Sequence, residues 1–331
     1  MSYLALARKW RPKHFKDIVG QEHVVQALSN ALNSKKMHHA YLFSGTRGIG
    51  KTTIARILAK AFNCQKGMSA DTCGECGNCC SVDEGRFVDL IEVDGASKTK
   101  VDDTRELLDN VQYAPSMSEY KIYIIDEVHM LSTHSFNALL KTLEEPPPHV
   151  RFFLATTDPE KLPITVLSRC LQFNLKRISP KLITERLKFI CDEEQIKYED
   201  KALSKIARAA DGSLRDALSL LDQAVAFSGE ELNEVSISDM LGSIDRRYVD
   251  QLMQALILGD SSLLIDTIEE IDQYFPNYDN LLVDIAAIFQ QLAVAKMTGV
   301  IKNNIYQEHD LSDYKESFDP EEIQLNYQIS I

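Results

Sequence analysis

Eight consecutive residues, Gly45-Thr46-Arg47-Gly48-Ile49-Gly50-Lys51-Thr52, constrain this 331-residue chain more than any other feature. They fit the phosphate-loop pattern G-x-x-x-x-G-K-[ST] at every position. The pattern has meaning only between a strand and a helix, and both neighbours read that way. Ala40 to Ser44 is a compact apolar strand, and a helix is expected from about Thr52 to Phe62. Glycines there let backbone N–H groups wrap phosphate oxygens, and the helix N-terminus adds a favourable dipole. Lys51 is then expected to reach the β- and γ-phosphates. The Thr52 hydroxyl is expected on Mg²⁺, with Thr53 beside it. The plainer alternative is a glycine-rich turn that binds nothing.

A second motif lies downstream of the loop. Ile122-Tyr123-Ile124-Ile125-Asp126-Glu127 is an apolar strand ending in two carboxylates. Hydrolysis of a bound nucleotide needs both. Asp126 can hold Mg²⁺ through water, and Glu127 can orient the attacking water. The plainer reading of Glu127 is a solvated charge at a strand end.

The seven cysteines give a third constraint. Cys64, Cys73, Cys76 and Cys79 form C-x8-C-x2-C-x2-C, which suits four thiolates on one tetrahedral zinc ion. With no position open to substrate, such a site is structural. Cys80 directly follows Cys79 and is the expected spare, although a swap between the two fits the spacing. Free thiols and an iron–sulfur cluster are the competing readings. An odd number of cysteines crowded in this way does not resemble a secreted disulfide framework.

Elsewhere the pattern alternates. Strands are expected at Val88–Val93, Lys121–Asp126, Arg151–Thr156 and Cys170–Phe173. Helices are expected at Val101–Val111 and at Phe136–Leu143, the latter stopped by Pro146-Pro147-Pro148. This alternation implies a parallel sheet with helices on both faces. After Ile178 the signals turn helical, at Leu182–Glu194, Asp200–Ala210 and Ser213–Phe227. A long apolar helix at Leu281–Met297 reads as buried between neighbours. Three domains follow from this reading: an α/β domain over 1–178 with its cysteine insertion at 63–80, a helical domain over 179–242, and a second helical domain over 243–331. The last residues resemble the middle of a helix, so a third domain cut short is expected.

Net charge is −13, so the chain is no polycation built to coat nucleic acid. No leader is apparent, and the most apolar run, Leu281 to Val294, is interrupted by Asp284, Gln290 and Gln291; a cytoplasmic protein without a membrane role is expected. Any DNA contact must be local. Ala96 to Val101, with Lys98, Lys100 and Arg105 close together, is the best candidate for gripping phosphates without reading bases. A solvated turn paired with Asp102 and Asp103 is the alternative. His38, His39, His129, His134 and His149 show no ligand spacing and read as structural or surface residues.

Taken in order, Trp10-Arg11-Pro12, Ile18-Val19-Gly20-Gln21, the phosphate loop, the four cysteines, Asp126-Glu127-Val128-His129 and Ser168-Arg169-Cys170 resemble the gamma/tau subunits of the bacterial DNA polymerase III clamp loader, within the AAA+ ATPases. The resemblance covers essentially the whole chain. It implies an ATPase domain, a small helical lid and an oligomerising collar. It also implies an ATP-driven motor: loaded with ATP it opens and holds a sliding clamp, and DNA-triggered hydrolysis releases the ring on primed DNA. Implied partners are the other clamp-loader subunits, the clamp, primed DNA and, through an absent C-terminal extension, the polymerase core and helicase. Residue by residue, Thr157 matches the polar sensor near the γ-phosphate, Arg169 the arginine finger acting on a neighbour's ATP, and Arg215 the lid's sensor arginine. Arg11, Pro12 and Val19 fall where the family holds the adenosine end. Two other functions compete with this one. One is a non-hydrolysing scaffold of the delta-prime type; such subunits carry a degraded phosphate loop, and this loop is intact. The other is a zinc-bearing nucleic-acid-binding module, which Asp71, Glu75 and the lone Lys66 around the cysteines disfavour.

Overall fold

The structure is a computed structural model of all 331 residues. It describes residues 4–96, 110–229, 231–241, 246–272, 278–299, 314 and 317–331. The chain forms two compact units, Met1–Glu231 and Leu232–Ile331. The sequence-based boundaries were 178/179 and 242/243. The second unit takes in the segment around Leu232 and Ile237, both buried.

A five-stranded sheet organises the first unit. Its strands are β1 (Ala40–Ser44), β2 (Leu90–Asp94), β3 (Lys121–Asp126), β4 (Val150–Thr156) and β5 (Leu171–Asn174), in the order β2-β3-β4-β1-β5. Every pairing is parallel. Side chains of a strand alternate between faces, so a sheet covered on both sides needs apolar residues at every position. The inner strands β3, β4 and β1 supply them over most of their length, whereas the edge strands β2 and β5 carry Glu92 and Gln172. Tyr41, Phe43, Ile122, Ile124 and Phe153 pack on one face with Ile54, Leu58 and Phe62 of the helix Lys51–Phe62. Leu42, Tyr123, Ile125, Phe152 and Leu154 pack on the other face with Leu139 and Leu143 of the helix Thr133–Glu144.

The strand order also places the chemistry. β4 lies between β1, which feeds the phosphate loop, and β3, which carries the two carboxylates. Ligands of open α/β sheets bind beyond the carboxyl ends of the strands. Three such ends therefore converge here, from Ser44, Asp126 and Thr156. The basic candidates Lys98, Lys100 and Arg105 lie outside the described residues, as does most of the helix expected at Val101–Val111.

Three helices follow the sheet in the first unit: Pro180–Glu194, Asp200–Ala209 and Leu214–Ser228. Two of them start on capping serines. Ser179 accepts from Leu182 N, and Ser213 from Asp216 N. The second unit is helical, with a core that includes Leu252, Met253, Ile271, Ile288, Phe289, Leu292 and Phe318. The longest of its described helices, Tyr278–Thr298, departs from the expectation of burial between neighbours. Ile288, Phe289 and Leu292 are buried, whereas Leu282, Val283 and Met297 are exposed. Contrary to the sequence reading, Leu281–Thr298 is long and apolar enough to cross a bilayer by length and composition. One face of it nevertheless packs into the core of its own unit.

Candidate active site

The phosphate loop leaves β1 along a path that admits no side chains at two points. Gly45 has φ +137°, and a Cβ there would lie 2.6 Å from Ile49 Cδ1 and 2.7 Å from the Leu175 carbonyl oxygen. Gly48 has φ +75°, and a Cβ would lie 1.9 Å from Ser213 Oγ. The first contact sets the turn against the sheet. The second sets it against the start of the helix Leu214–Ser228, where Arg215 N also donates to the Gly48 carbonyl at 3.3 Å.

Lys51 is 5% exposed, and its ammonium donates to the carbonyls of Gly45 and Thr46 at 2.8 and 2.9 Å. Burial lowers its pKa, while Glu127 and Asp126 pull it back up. A buried cation with two nearby carboxylates remains the charge that polyphosphate needs. Next to it, Thr52 Oγ1 donates to Asp126 Oδ2 at 2.7 Å. A hydroxyl in contact with a carboxylate is a donor set suited to Mg²⁺, a hard cation that prefers oxygen.

Glu127 holds a strained backbone, with φ +46°. Its carboxylate is correspondingly well held. Oε2 accepts from Thr157 N at 3.0 Å and Thr157 Oγ1 at 2.9 Å, and Oε1 lies 4.0 Å from Lys51 Nζ. His129 Nδ1 sits 3.4 Å from Oε2 and 2.8 Å from Thr156 Oγ1. The structure therefore brings Lys51, Thr52, Asp126, Glu127 and Thr157 together. It adds His129, which showed no ligand spacing in the sequence because its role depends on strand order.

The N-terminal segment reaches the same place. Arg11 Nε donates to Thr53 Oγ1 at 3.2 Å. Burial takes the Arg11 pKa down to about 10, with Arg56 and Arg215 pushing the same way and Glu92 and Asp126 opposing. Pro12 and Val19 are half-buried in that segment. Thr46, Arg47 and Arg215 are exposed, and Ile49 is buried in the core beneath the loop. Gln21 is fully buried: it donates to the Lys176 carbonyl at 2.7 Å and accepts from Lys176 N at 3.1 Å. It ties the segment to the stretch leading into the helix Pro180–Glu194. A lone glutamine beside Val19-Gly20 carried no such signal in sequence.

Arg169 stands apart from this group. Its guanidinium donates to the Thr165 carbonyl at 2.7 Å and to Glu144 Oε1 at 2.8 Å, and it is partly exposed. None of these partners belongs to the phosphate loop.

The four cysteines form a separate cluster. Their sulfurs all lie within 4.8 Å of one another. Cys64 and Cys73 are 3.5 Å apart, and Cys73 and Cys79 3.8 Å. A tetrahedral ion with Zn–S bonds of about 2.3 Å sets sulfur–sulfur edges of about 3.8 Å, so the donors fit. N–H groups of Glu75 and Cys76 draw the Cys73 thiol down to about 6, whereas burial pushes the Cys79 thiol up. Four thiols this close cannot all ionise without a cation between them. Cys80 is exposed and turns its sulfur to the Gly74 carbonyl at 3.6 Å, outside the cluster. The lobe is joined to the phosphate-loop helix by an ion pair that the sequence did not reveal. Lys60, 1% exposed, meets Asp83 at 2.7 and 3.0 Å.

Comparison with known proteins places this geometry in a family. Residues 20–179 match the family model described as DNA polymerase III, delta subunit. Residues 182–230 match the DNA polymerase III clamp loader subunit, ATPase lid domain, and 232–331 match DNA polymerase III subunits gamma and tau domain III. The chain is 52% identical to DNA polymerase III subunit tau/gamma of Haemophilus influenzae, over its full length and 48% of that protein. It is 52% identical to DNA polymerase III subunit tau of Escherichia coli, over 99% of this chain and 51% of that one. The chain thus spans about half the length of these relatives. Against DNA polymerase III subunit gamma of Buchnera aphidicola subsp. Acyrthosiphon pisum it is 45% identical, over 99% of this chain and 92% of that one. A solved RuvB Holliday junction branch migration motor from Thermotoga maritima, 21% identical, superposes with a TM-score of 0.53 over 75% of this chain and 79% of that one. At that identity the likeness concerns the AAA+ fold alone. A full-length match to a gamma subunit, joined to an intact phosphate loop with its paired carboxylates, places this chain in the DNA polymerase III gamma/tau subunit family of clamp-loader ATPases.

Proposed function

We propose that this chain binds ATP with Mg²⁺ at the phosphate loop and hydrolyses it as the motor subunit of a sliding-clamp loader. The observation that carries this reading is the convergence of Lys51, Thr52, Asp126, Glu127 and Thr157 beyond the ends of β1, β3 and β4. In this role the loop's N–H groups and Lys51 hold the β- and γ-phosphates. Thr52 and Asp126 hold Mg²⁺, which spreads the charge that develops on the phosphate oxygens. Glu127 orients the attacking water and takes up its proton, and Thr157 keeps its carboxylate turned to the γ-phosphate end. Arg11, Pro12 and Val19 take the adenosine end, and Arg215 reports on nucleotide from the lid. Arg169 acts as a finger on the neighbouring subunit's ATP.

The four thiolates hold a structural zinc ion. Other clamp-loader subunits, the clamp and primed DNA are the partners, with DNA gripped through Lys98, Lys100 and Arg105. The longer tau relatives extend beyond the region matched here, and the polymerase core and helicase are assigned to that extension. The site of action is the cytoplasm. The chain's part in the polymerase holoenzyme is ATP hydrolysis and not nucleotide polymerisation. The intact loop disfavours a silent scaffold of the delta-prime type.

Lys51→Ala should abolish nucleotide binding. Glu127→Gln should bind ATP but release phosphate about a hundredfold more slowly or worse, the usual cost of losing a general base. Titration with a fluorescent nucleotide and a phosphate-release assay separate the two. Equal loss of binding in both variants refutes the assigned roles.

A further inference from the structure

The first described residues run across three parts of the molecule in turn. Leu6 N donates to Asp222 Oδ2 at 2.9 Å, on the lid helix Leu214–Ser228. Lys9 Nζ and Trp10 Nε1 then meet Glu194 Oε1 at 2.6 and 2.7 Å. Arg11, the next residue, reaches Thr53 on the phosphate-loop helix. The His14 ring lies 3.3 Å from Thr72 Oγ1, in the cysteine lobe.

Glu194 is the last residue of the lid helix Pro180–Glu194, and that helix has no basic residue in its last turn. A carboxylate there opposes the helix dipole, and Asp192 and Glu193 crowd it with like charge. Helix stability alone therefore disfavours this residue. What it gains is Lys9 and the indole N–H. The indole is seated further, edge-on to Phe189 with ring centroids 5.7 Å apart, and the Arg186 guanidinium lies 5.0 Å from the Phe189 ring and 5.8 Å from Trp10.

We propose that Glu194 is a positioning residue that latches the lid to the nucleotide pocket: by holding Lys9 and Trp10 it fixes the approach of Arg11 to Thr53. One peptide bond separates the lid contact of Trp10 from the pocket contact of Arg11. A tilt of the first lid helix therefore shifts the Arg11 guanidinium, and nucleotide at Arg11 resists that tilt. This inference rests on the nucleotide reading above.

Trp10 is the sole tryptophan of the chain, so its emission reports the latch directly. The experiment uses the full chain with Mg²⁺-ADP and a slowly hydrolysed ATP analogue. Emission is recorded during titration, and affinity is measured separately with a fluorescent nucleotide. Nucleotide should shift the Trp10 emission of the wild-type chain. Glu194→Ala should weaken nucleotide binding about five- to tenfold, the low end of couplings between sites, and remove the emission shift. Glu194→Gln keeps an acceptor for the indole and should recover most of the affinity, which a general loss of stability would not. Wild-type binding without an emission shift, together with unchanged affinity in Glu194→Ala, overturns the latch and leaves the nucleotide reading standing. Wild-type chain that binds no better than Lys51→Ala overturns the nucleotide reading, and the latch with it. Should Glu194→Ala fail to fold, Trp10→Phe removes the indole donor together with part of the ring packed on Phe189, leaves Lys9 on Glu194, and unchanged affinity in that variant refutes the proposal.

Discussion

Replacing Gly48 by alanine probes the contact between phosphate loop and lid at its tightest point. Two costs can be read from the structure. The φ of +75° is one an L-residue adopts at a cost of about 1–2 kcal/mol. The new Cβ would also stand 1.9 Å from Ser213 Oγ, so the hydroxyl must rotate away. That hydroxyl caps the helix Leu214–Ser228 by accepting from Asp216 N at 3.2 Å. Losing such a cap costs about 1 kcal/mol. Gly48→Ala should therefore cost about 2–3 kcal/mol, as lost stability if the lid stays seated or as lost nucleotide affinity if it lifts. Urea unfolding followed through Trp10 reads the first, and nucleotide titration reads the second. Adding Ser213→Gly removes the obstructing hydroxyl, and glycine is itself a tolerable cap. The double variant should recover about 1 kcal/mol and leave the backbone cost. A single-variant loss below about 1 kcal/mol in both measurements refutes this reasoning. So does a double variant no better than the single one.

Three further outcomes are expected. Cys76→Ser should lower bound zinc from one ion per chain and loosen the lobe around Gly77–Asp83 while nucleotide still binds; elemental analysis and limited proteolysis check this, and a wild-type chain without zinc contradicts it. Arg169→Ala should leave nucleotide affinity of the isolated chain unchanged, since its partners are Thr165 and Glu144, yet stall hydrolysis in the assembled complex by about a thousandfold. Loss of affinity in the isolated chain as severe as that of Lys51→Ala rules out a finger acting in trans. Replacing Lys98, Lys100 and Arg105 together should weaken DNA binding by the ATP-bound complex and flatten its salt dependence, and an unchanged slope returns them to a solvated turn.

Local chemistry carried much of the architecture into the sequence. The strands β1 and β3 stood out because both faces of the sheet are covered, which makes them continuous apolar runs. The helix Leu214–Ser228 announced its start through the Ser213 cap. The phosphate loop and the cysteine cluster were legible because each packs its chemistry into a short stretch of chain. What stayed hidden depends on contacts between distant segments. Gln21 meets Lys176 across 155 residues, and Trp10 meets Glu194 across 184. His129, two residues from Glu127, gains Thr156 as a partner only through the pairing of β3 with β4. The exposed face of Tyr278–Thr298 was misjudged for a related reason. Periodicity gives the apolar circumference of a helix but not how much of it the chain itself covers.

The pair formed by Lys60 and Asp83 bears on how such a chain can change by descent. The cysteine lobe has the outline of a cassette, entering after the phosphate-loop helix and returning before β2. It is not separable as one. A lineage that dropped residues 64–83 would remove the counterion of an ammonium that is 1% exposed in the intact chain. Breaking such a pair from one side costs about 3–5 kcal/mol, whereas replacing both partners with apolar residues of similar volume is often neutral. Loss of the cysteine lobe is therefore expected to travel with a substitution at position 60. Ancestry that kept the lobe should show positions 60 and 83 changing together.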